Sequence, residues 1–428
     1  MVTTMAESRN LRFLMMTVVV AVFTSAIPRG ALSQSPTARE DLALVGGTIY
    51  VSPMSEPIRN GVVLVHDGKI SAIGAREALR VPTGFQTLDC SGRTITAGFW
   101  NSHVHFFERK WADATGITAQ ELATQLQEMF TQYGFTNVFD TGSPWNNTRR
   151  IRDRIESGEL LGPRIRSTGE PLIAPGAMPA DDVLRSLGDM VFAIREITSA
   201  SEAASASKEL LQAGVDAIKV HLQPPRSPRA TFPQDAIAAA VLEAHRLGKP
   251  VFVHPNNGAD VLNAAMAGVD VIAHTTPLSG PWDANTLMAM KSRNVALTPT
   301  LLGWKSALRH DRVSTQRRLT DTAVGQLRSW VALEGVVLFG TDAGAVDYDP
   351  TEEYVLMRQA GMSFRQILAS LTTNPAERFG ESARQGRLAV GLNADLVVFK
   401  GDPATDVRVF ARVLYTVRDG EVLYRASE

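Results

Sequence analysis

The sequence predicts an α/β protein, a closed (β/α)8 barrel carrying a small β-rich subdomain, and three observations support that prediction. Between about residues 94 and 383, short apolar stretches alternate with segments of helical length, the rhythm of βα units around a parallel sheet. Eight such stretches fit into about 290 residues, which is the count and size of a TIM barrel. Residues 34–93 and 384–428 share a different texture, short apolar runs broken by glycine turns, so both chain ends are expected to build one subdomain.

In chain order, Arg9 and Arg12 precede an apolar run over residues 13–27 that ends near the small-residue pattern Ala31-Leu32-Ser33. This run is shorter than the ~20 residues a membrane-spanning helix needs, so residues 1–33 read as a signal peptide cleaved before Gln34. An uncleaved N-terminal anchor is the other reading. Cleavage leaves a secreted or periplasmic chain with no further membrane attachment. Terminal strands, read as antiparallel, follow at 43–45, 62–65 and 70–73, with a tight turn at Asp67-Gly68, and their counterparts return at 394–399 and 413–423. Barrel strands are expected at 95–106, 136–140, 164–167, 217–222, 250–254, 269–275, 296–300 and 336–342. The segments between them, such as 118–133, 202–213, 235–247 and 259–267, are long enough for right-handed crossovers.

Composition narrows the function. Lys and Arg total 43 against 44 for Asp and Glu, a net charge of -1, so no long-range field favours nucleic acid or an anionic membrane. The single cysteine, Cys90, excludes an intramolecular disulfide and a sulfur-ligated metal or redox centre, and reads as a small apolar core residue. At 46.4 kDa and 44% hydrophobic residues the chain can bury a large core. The oligomeric state, a homo-oligomer included, is left open.

In such a barrel the chemistry sits at the C-terminal ends of the strands, so polar residues there are the candidates. Of eight histidines, His103 and His105 close strand one, His221 strand four, His254 strand five and His274 strand six. Lys219 lies near the end of strand four and Asp342 ends strand eight. Two residues apart on an extended strand, the rings of His103 and His105 project to one face and can reach one ion. Taken alone, the pair is explained equally well by a solvated strand face. Lys219 has apolar neighbours in Ala217, Ile218 and Val220, where an ammonium is costly without a partner. Either it pairs with a carboxylate, or its amine, deprotonated by burial, takes up carbon dioxide as a carbamate, an anionic donor able to bridge two cations. Asp342, in Gly340-Thr341-Asp342-Ala343-Gly344, can bind a metal and accept a proton, or cap a following helix. The convergence of these side chains from different strands favours the site.

With these residues placed, the chain resembles the amidohydrolase superfamily, particularly its imidazolonepropionase-like and carboxylated-lysine prolidase-like branch. The likeness rests on the lead-in Asp89-Cys90-Ser91-Gly92-Arg93-Thr94-Ile95-Thr96-Ala97-Gly98-Phe99 before His103 and His105, on Ala217-Ile218-Lys219-Val220-His221, on His254 and His274, and on Gly340-Thr341-Asp342. It extends to Thr372-Thr373-Asn374-Pro375-Ala376 and Gly391-Leu392-Asn393-Ala394-Asp395-Leu396-Val397, similar to the family's return into a β-sandwich. The resemblance implies two divalent metal ions. His103, His105 and Asp342 would hold the first, His254 and His274 the second, and N6-carboxylated Lys219 would bridge them. Nitrogen and oxygen donors without thiolate suit zinc first, with manganese, cobalt, nickel or iron as the alternatives. Asn101 stands where the family carries aspartate, and Ala97 where it carries proline, so the surroundings of the metal differ.

The implied reaction is hydrolysis of an amide-like C–N bond in a small molecule, a dipeptide, N-acyl amino acid or cyclic amide, by a metal-bridged hydroxide. Asp342 is the catalytic residue expected to take the proton and return it to the leaving nitrogen. Deaminases of the superfamily carry a glutamate shortly after the strand-five histidine, and His254-Pro255-Asn256-Asn257-Gly258 has none. A lactonase or phosphotriesterase on the same site is the alternative, as is a secreted binding protein that has lost catalysis. The loops 169–186 and 301–312 are expected to select the substrate, with His221, Trp304 and Lys305 as candidate binding residues beside Arg309 and His310.

Overall fold

Short β-branched and aromatic runs set the strands, and the computed structural model describes residues 40–177, 195–222, 232–307 and 311–427. The expected signal peptide, 1–33, lies outside the described residues. The first five strands are β1 (Leu42–Ile49), β2 (Ile58–His66), β3 (Lys69–Ala75), β4 (Gln86–Asp89) and β5 (Arg93–Ala97). The barrel follows with β6 (Phe99–Val104), β7 (Phe135–Asp140), β8 (Arg164–Ser167), β9 (Leu172–Ile173), β10 (Arg195–Glu196), β11 (Ile218–His221), β12 (Val251–His254), β13 (Val271–Ala273) and β14 (Ala296–Thr298). The chain returns through β15 (Leu396–Lys400), β16 (Val413–Arg418) and β17 (Glu421–Arg425).

Both ends build one sheet, ordered β17-β16-β15-β5-β1-β2-β3 with β4 beside β1. Its pairing is mixed rather than antiparallel throughout, because β1 runs parallel to β4 and β5. Leu44, Val63, Val65 and Ile70 share a core with Cys90, Ile95, Leu396 and Val398. The sheet folds over that core until distant turns meet. The Ala394 amide donates to the Gly68 carbonyl, and a Cβ on Gly420 would sit 3.2 Å from the Gly68 Cα. Only glycine fits that approach with a positive φ.

The barrel is a TIM barrel whose parallel strands lie in two hydrogen-bonded groups, β6-β7-β8 and β10-β9-β11-β12-β13-β14. Residues 336–342 join β14 to β6. Leu338 donates to Leu297 and Leu297 to Val336, while Ser102 donates to Phe339 and Asp342 to His103, at 2.7–2.9 Å. Across the ring, the Asp216 amide reaches the Ser167 carbonyl at 2.7 Å. One side chain from each of seven strand segments fills the interior: Trp100, Phe139, Ala217, Phe252, Val271, Ala296 and Leu338. This layer is the floor on which the polar strand ends stand. Around it, Ser199, Asn257 and Asp283 cap the helices Ala200–Gln212, Gly258–Ala267 and Ala284–Ser292 through their side-chain oxygens. Among the described residues no helix is long and apolar enough to cross a membrane.

Three further expectations need correction. The strand expected at 95–106 is two strands, β5 in the terminal sheet and β6 in the barrel, so the terminal sheet runs past residue 93 to Ala97. They part at Gly98, whose amide donates to Asp395 and whose Cβ would lie 2.3 Å from Thr136 Oγ1. The loop expected from 169 contributes β9, which pairs in parallel with β11 and β10, and its residues 178–186 lie outside the described residues. The loop expected from 301 opens as a helix, Leu301–Ala307.

Candidate metal centre

His103 closes β6 and His105 follows it, two residues apart, which puts both rings on one face with centroids 5.2 Å apart. In the parallel register of β11 and β12, His221 lies beside His254, and Lys219 shares their face two residues earlier. The His221 and His254 rings stack at 3.9 Å, His254 meets His274 at 4.5 Å, and His274 meets His103 at 4.6 Å. Asp342 completes the circle from the eighth segment. Its Oδ1 lies 3.0 Å from His105 Nε2 and 3.3 Å from His103 Nε2, the latter without hydrogen-bond alignment. All seven strand-end residues expected to converge therefore do so.

Burial governs their charges. It pushes His103 and His221 down to about 3, helped by the nearby Lys219 charge, and pushes His254 and His274 well below the ordinary imidazole value. These four imidazoles are neutral at pH 7, which is the form whose lone pair a metal takes. Lys219 is 2% exposed, and burial lowers its ammonium to about 7. Asp342 and Asp140 are the carboxylates whose charges reach that ammonium, and together they offset only part of the cost of its burial. Burial would raise Asp342, yet the imidazoles of His103 and His105 against it hold it well below the usual carboxylate range.

A second layer aims these groups. Asn101 donates from Nδ2 to Thr341 Oγ1 at 2.8 Å and accepts the Thr341 amide at 3.2 Å. A carboxamide does both at once, which an ionised carboxylate does not. His274 Nδ1 lies 2.5 Å from Thr300 Oγ1. Asp140, at the end of β7, is buried and accepts from Ser143, Ser167 and Thr148 at 2.5, 2.7 and 3.1 Å. Burial raises its carboxyl, and these hydroxyls oppose the shift. The Ser143 hydroxyl also accepts the Phe106 amide at 2.7 Å, which fixes the chain next to His105. Asp140 and Thr300 were both open to sequence reasoning as polar residues ending expected strands, whereas Glu353, far along the chain, carries no local signal.

The donor set fits a divalent metal. Both ring nitrogens of His103 and Nδ1 of His105 are buried without a hydrogen-bond partner. One donor atom each from His103, His274 and Asp342 lie within 4.8 Å of one another. Nitrogen and oxygen donors of this kind, without thiolate, suit zinc and its neighbours. Of the candidate substrate residues, His221 is part of the centre. Trp304 is tied by its indole N–H to the Thr275 carbonyl at 3.2 Å, next to His274. Lys305 is half exposed and paired with Glu352 at 2.8 Å, so it is not brought to the centre. Arg309 and His310 lie outside the described residues.

A family model described as the amidohydrolase family matches residues 94–423. The chain belongs to that family. Among relatives, this amidohydrolase is 20% identical to an ochratoxinase from Aspergillus niger, over 90% of this chain and 86% of that one. It is 24% identical to a 5-methylthioadenosine/S-adenosylhomocysteine deaminase from Symbiobacterium thermophilum, over 90% and 91%. A solved Xaa-Pro dipeptidase with methionine bound in its active site superposes with a TM-score of 0.76 at 22% identity, covering 90% of this chain and all of that one. The protein is a hydrolase acting on carbon–nitrogen bonds, in a family that is generally metal-dependent.

Proposed function

We propose that this amidohydrolase cleaves an amide-like C–N bond in a dipeptide, an N-acyl amino acid or a cyclic amide at a binuclear centre. His103, His105 and Asp342 would hold one metal, His254 and His274 the other, and a carboxylated Lys219 would be shared between them, with zinc as the metal. The observation that carries this reading is Lys219: fully buried, and poised at about 7 beside imidazoles that burial keeps neutral. A neutral amine adds through its lone pair to carbon dioxide and gives up one proton to water, and the carbamate anion that results would balance the cations its neighbours invite. When bound, such ions polarise a carbonyl and make water nucleophilic near neutral pH.

The chain's own residues do the rest. Asp342 stays ionised, so its carboxylate can take a proton at Oδ1 or Oδ2 and release it to the leaving nitrogen. Gly303 leaves room beside that carboxylate, since a Cβ there would be 3.7 Å from Oδ2. The absence of an acid at Asn256 or Asn257 supports hydrolysis over deamination. Export through a cleaved 1–33 segment belongs to the same proposal, and N-terminal sequencing of exported protein should begin at Gln34.

The test combines metal analysis, intact mass and a substrate panel on the purified enzyme. Two metals per chain and one added carboxyl group on Lys219 are expected, with turnover of dipeptides, N-acyl amino acids or cyclic amides above that of lactones and phosphotriesters. Preference for the esters would reassign the bond. Less than one metal per chain after purification from metal-supplemented medium would favour a binding protein instead.

A further inference from the structure

Three non-glycine residues around the centre hold left-handed backbone: His274 (φ 76), Thr300 (φ 44) and Asp342 (φ 65). For a β-branched threonine this conformation is an outlier that persists only where the surroundings over-determine it. Thr300 does two things in that state. Its hydroxyl meets His274 Nδ1 at 2.5 Å, fixing the ring so that Nε2 is left for another partner, and its carbonyl accepts the Gly303 amide at 3.1 Å. The turn that opens the helix at Leu301 is thus tied to His274 through Thr300, and the helix passes Asp342 at Gly303, where an added Cβ would lie 3.7 Å from Oδ2.

What holds this turn comes from far along the chain. Glu353, in the helix Thr351–Gln359, is 0% exposed and accepts the Leu302 amide at Oε2 at 2.7 Å. Its Oε1 is buried with no hydrogen-bond partner. Burying a carboxyl with one oxygen unpartnered is costly, and the group it engages is the amide that opens the helix next to Thr300.

We infer that Glu353 is a positioning residue for His274, acting through the Leu302 amide and the Thr300 hydroxyl. The inference rests on the proposal that His274 is a metal ligand. Its test measures zinc retention in competition with a chromogenic chelator, well below the unfolding temperature, alongside kcat, KM and Tm. Glu353→Ala and Thr300→Val are each expected to weaken retention by roughly tenfold or more, as loss of a ligand's support does. Because both act on one ring, the double variant should lose no more than the worse single one. Glu353→Gln should retain zinc as the parent does, since its amide oxygen can still accept from Leu302. Parental retention in Glu353→Ala, a lower Tm alone, or additive losses would each overturn the inference. If Glu353→Ala does not fold, Glu353→Asp takes its place with the same expectations, because the shorter acid withdraws from Leu302. His274→Ala separates the two layers. Unchanged zinc in that variant overturns the site itself, whereas lost zinc there beside unchanged zinc in Glu353→Ala overturns only the positioning role.

Discussion

Glu353→Gln is expected to stabilise the protein at alkaline pH and to leave it unchanged in acid. Burial raises the Glu353 carboxyl to about 8 from an ordinary 4.5, against the opposing pull of the Leu302 and Leu301 amides. The folded state therefore binds a proton that the unfolded chain releases near 4.5. The stabilising contribution of the protonated acid is fully present below about 4.5 and is lost as pH rises through about 8. At 1.36 kcal/mol per unit, the cost above pH 8 is roughly 3–5 kcal/mol for a group with no exposure. Glutamine keeps an acceptor for Leu302 and never ionises, so the variant escapes that cost. With an unfolding entropy near 2 cal/mol/K per residue, the difference corresponds to a rise in Tm of about 5 °C at pH 9. Differential scanning calorimetry of both proteins at pH 5 and pH 9 reads this directly. Parallel pH profiles would refute the reasoning, because they would mean that the Glu353 acid ionises in the fold without penalty.

Asp342→Asn should keep its fold and lower kcat by roughly 10²–10⁴-fold, the worth of a positioned proton acceptor, and near-parental turnover would remove that role. Because the Lys219 amine sits at about 7 and must be neutral to form a carbamate, zinc loading of metal-free protein in bicarbonate buffer should fall as pH drops from 8 to 6; mass spectrometry of the loaded protein follows the carboxyl group. Gly303→Leu extends a side chain into the space beside Asp342 Oδ2 and should raise KM for the best substrate more than it lowers Tm. Cys90, buried with its thiol pushed up to about 12, should not react with a thiol reagent at pH 8 until the protein is unfolded.

The barrel is legible in the sequence because its strands are covered on both faces and so read as unbroken apolar runs, as in Val251-Phe252-Val253. The centre is legible for a related reason: a histidine, lysine or aspartate that ends such a run has nowhere to point but the barrel mouth. Gly98 defeats the same logic. A single glycine inside an apolar run looks like a strand residue, and only the packing of Thr136 against it shows that the chain changes sheets there. The helix Leu301–Ala307 is hidden because its first turn is held by Glu353, 51 positions from the amide it accepts. Lys305 reads as a cation free for an anion, yet Glu352 on another helix takes it. Local pattern reveals which groups are available, while long-range pairing decides which are already engaged.

The pairing of residues 93–97 with 396–400 has a consequence for how the molecule is made. β5 is the hinge between barrel and terminal sheet, and one of its edges is supplied by a strand some 300 positions later. Until residues 396–425 leave the ribosome, Ile95 and its apolar neighbours face water, and the strand that leads into His103 has an open edge. Closing so long a loop is slow and leaves that edge open to wrong partners meanwhile. The hydrolase should therefore tolerate loss of its final strands poorly, and a chain shortened before Leu396 should accumulate as aggregate rather than as a weakened enzyme.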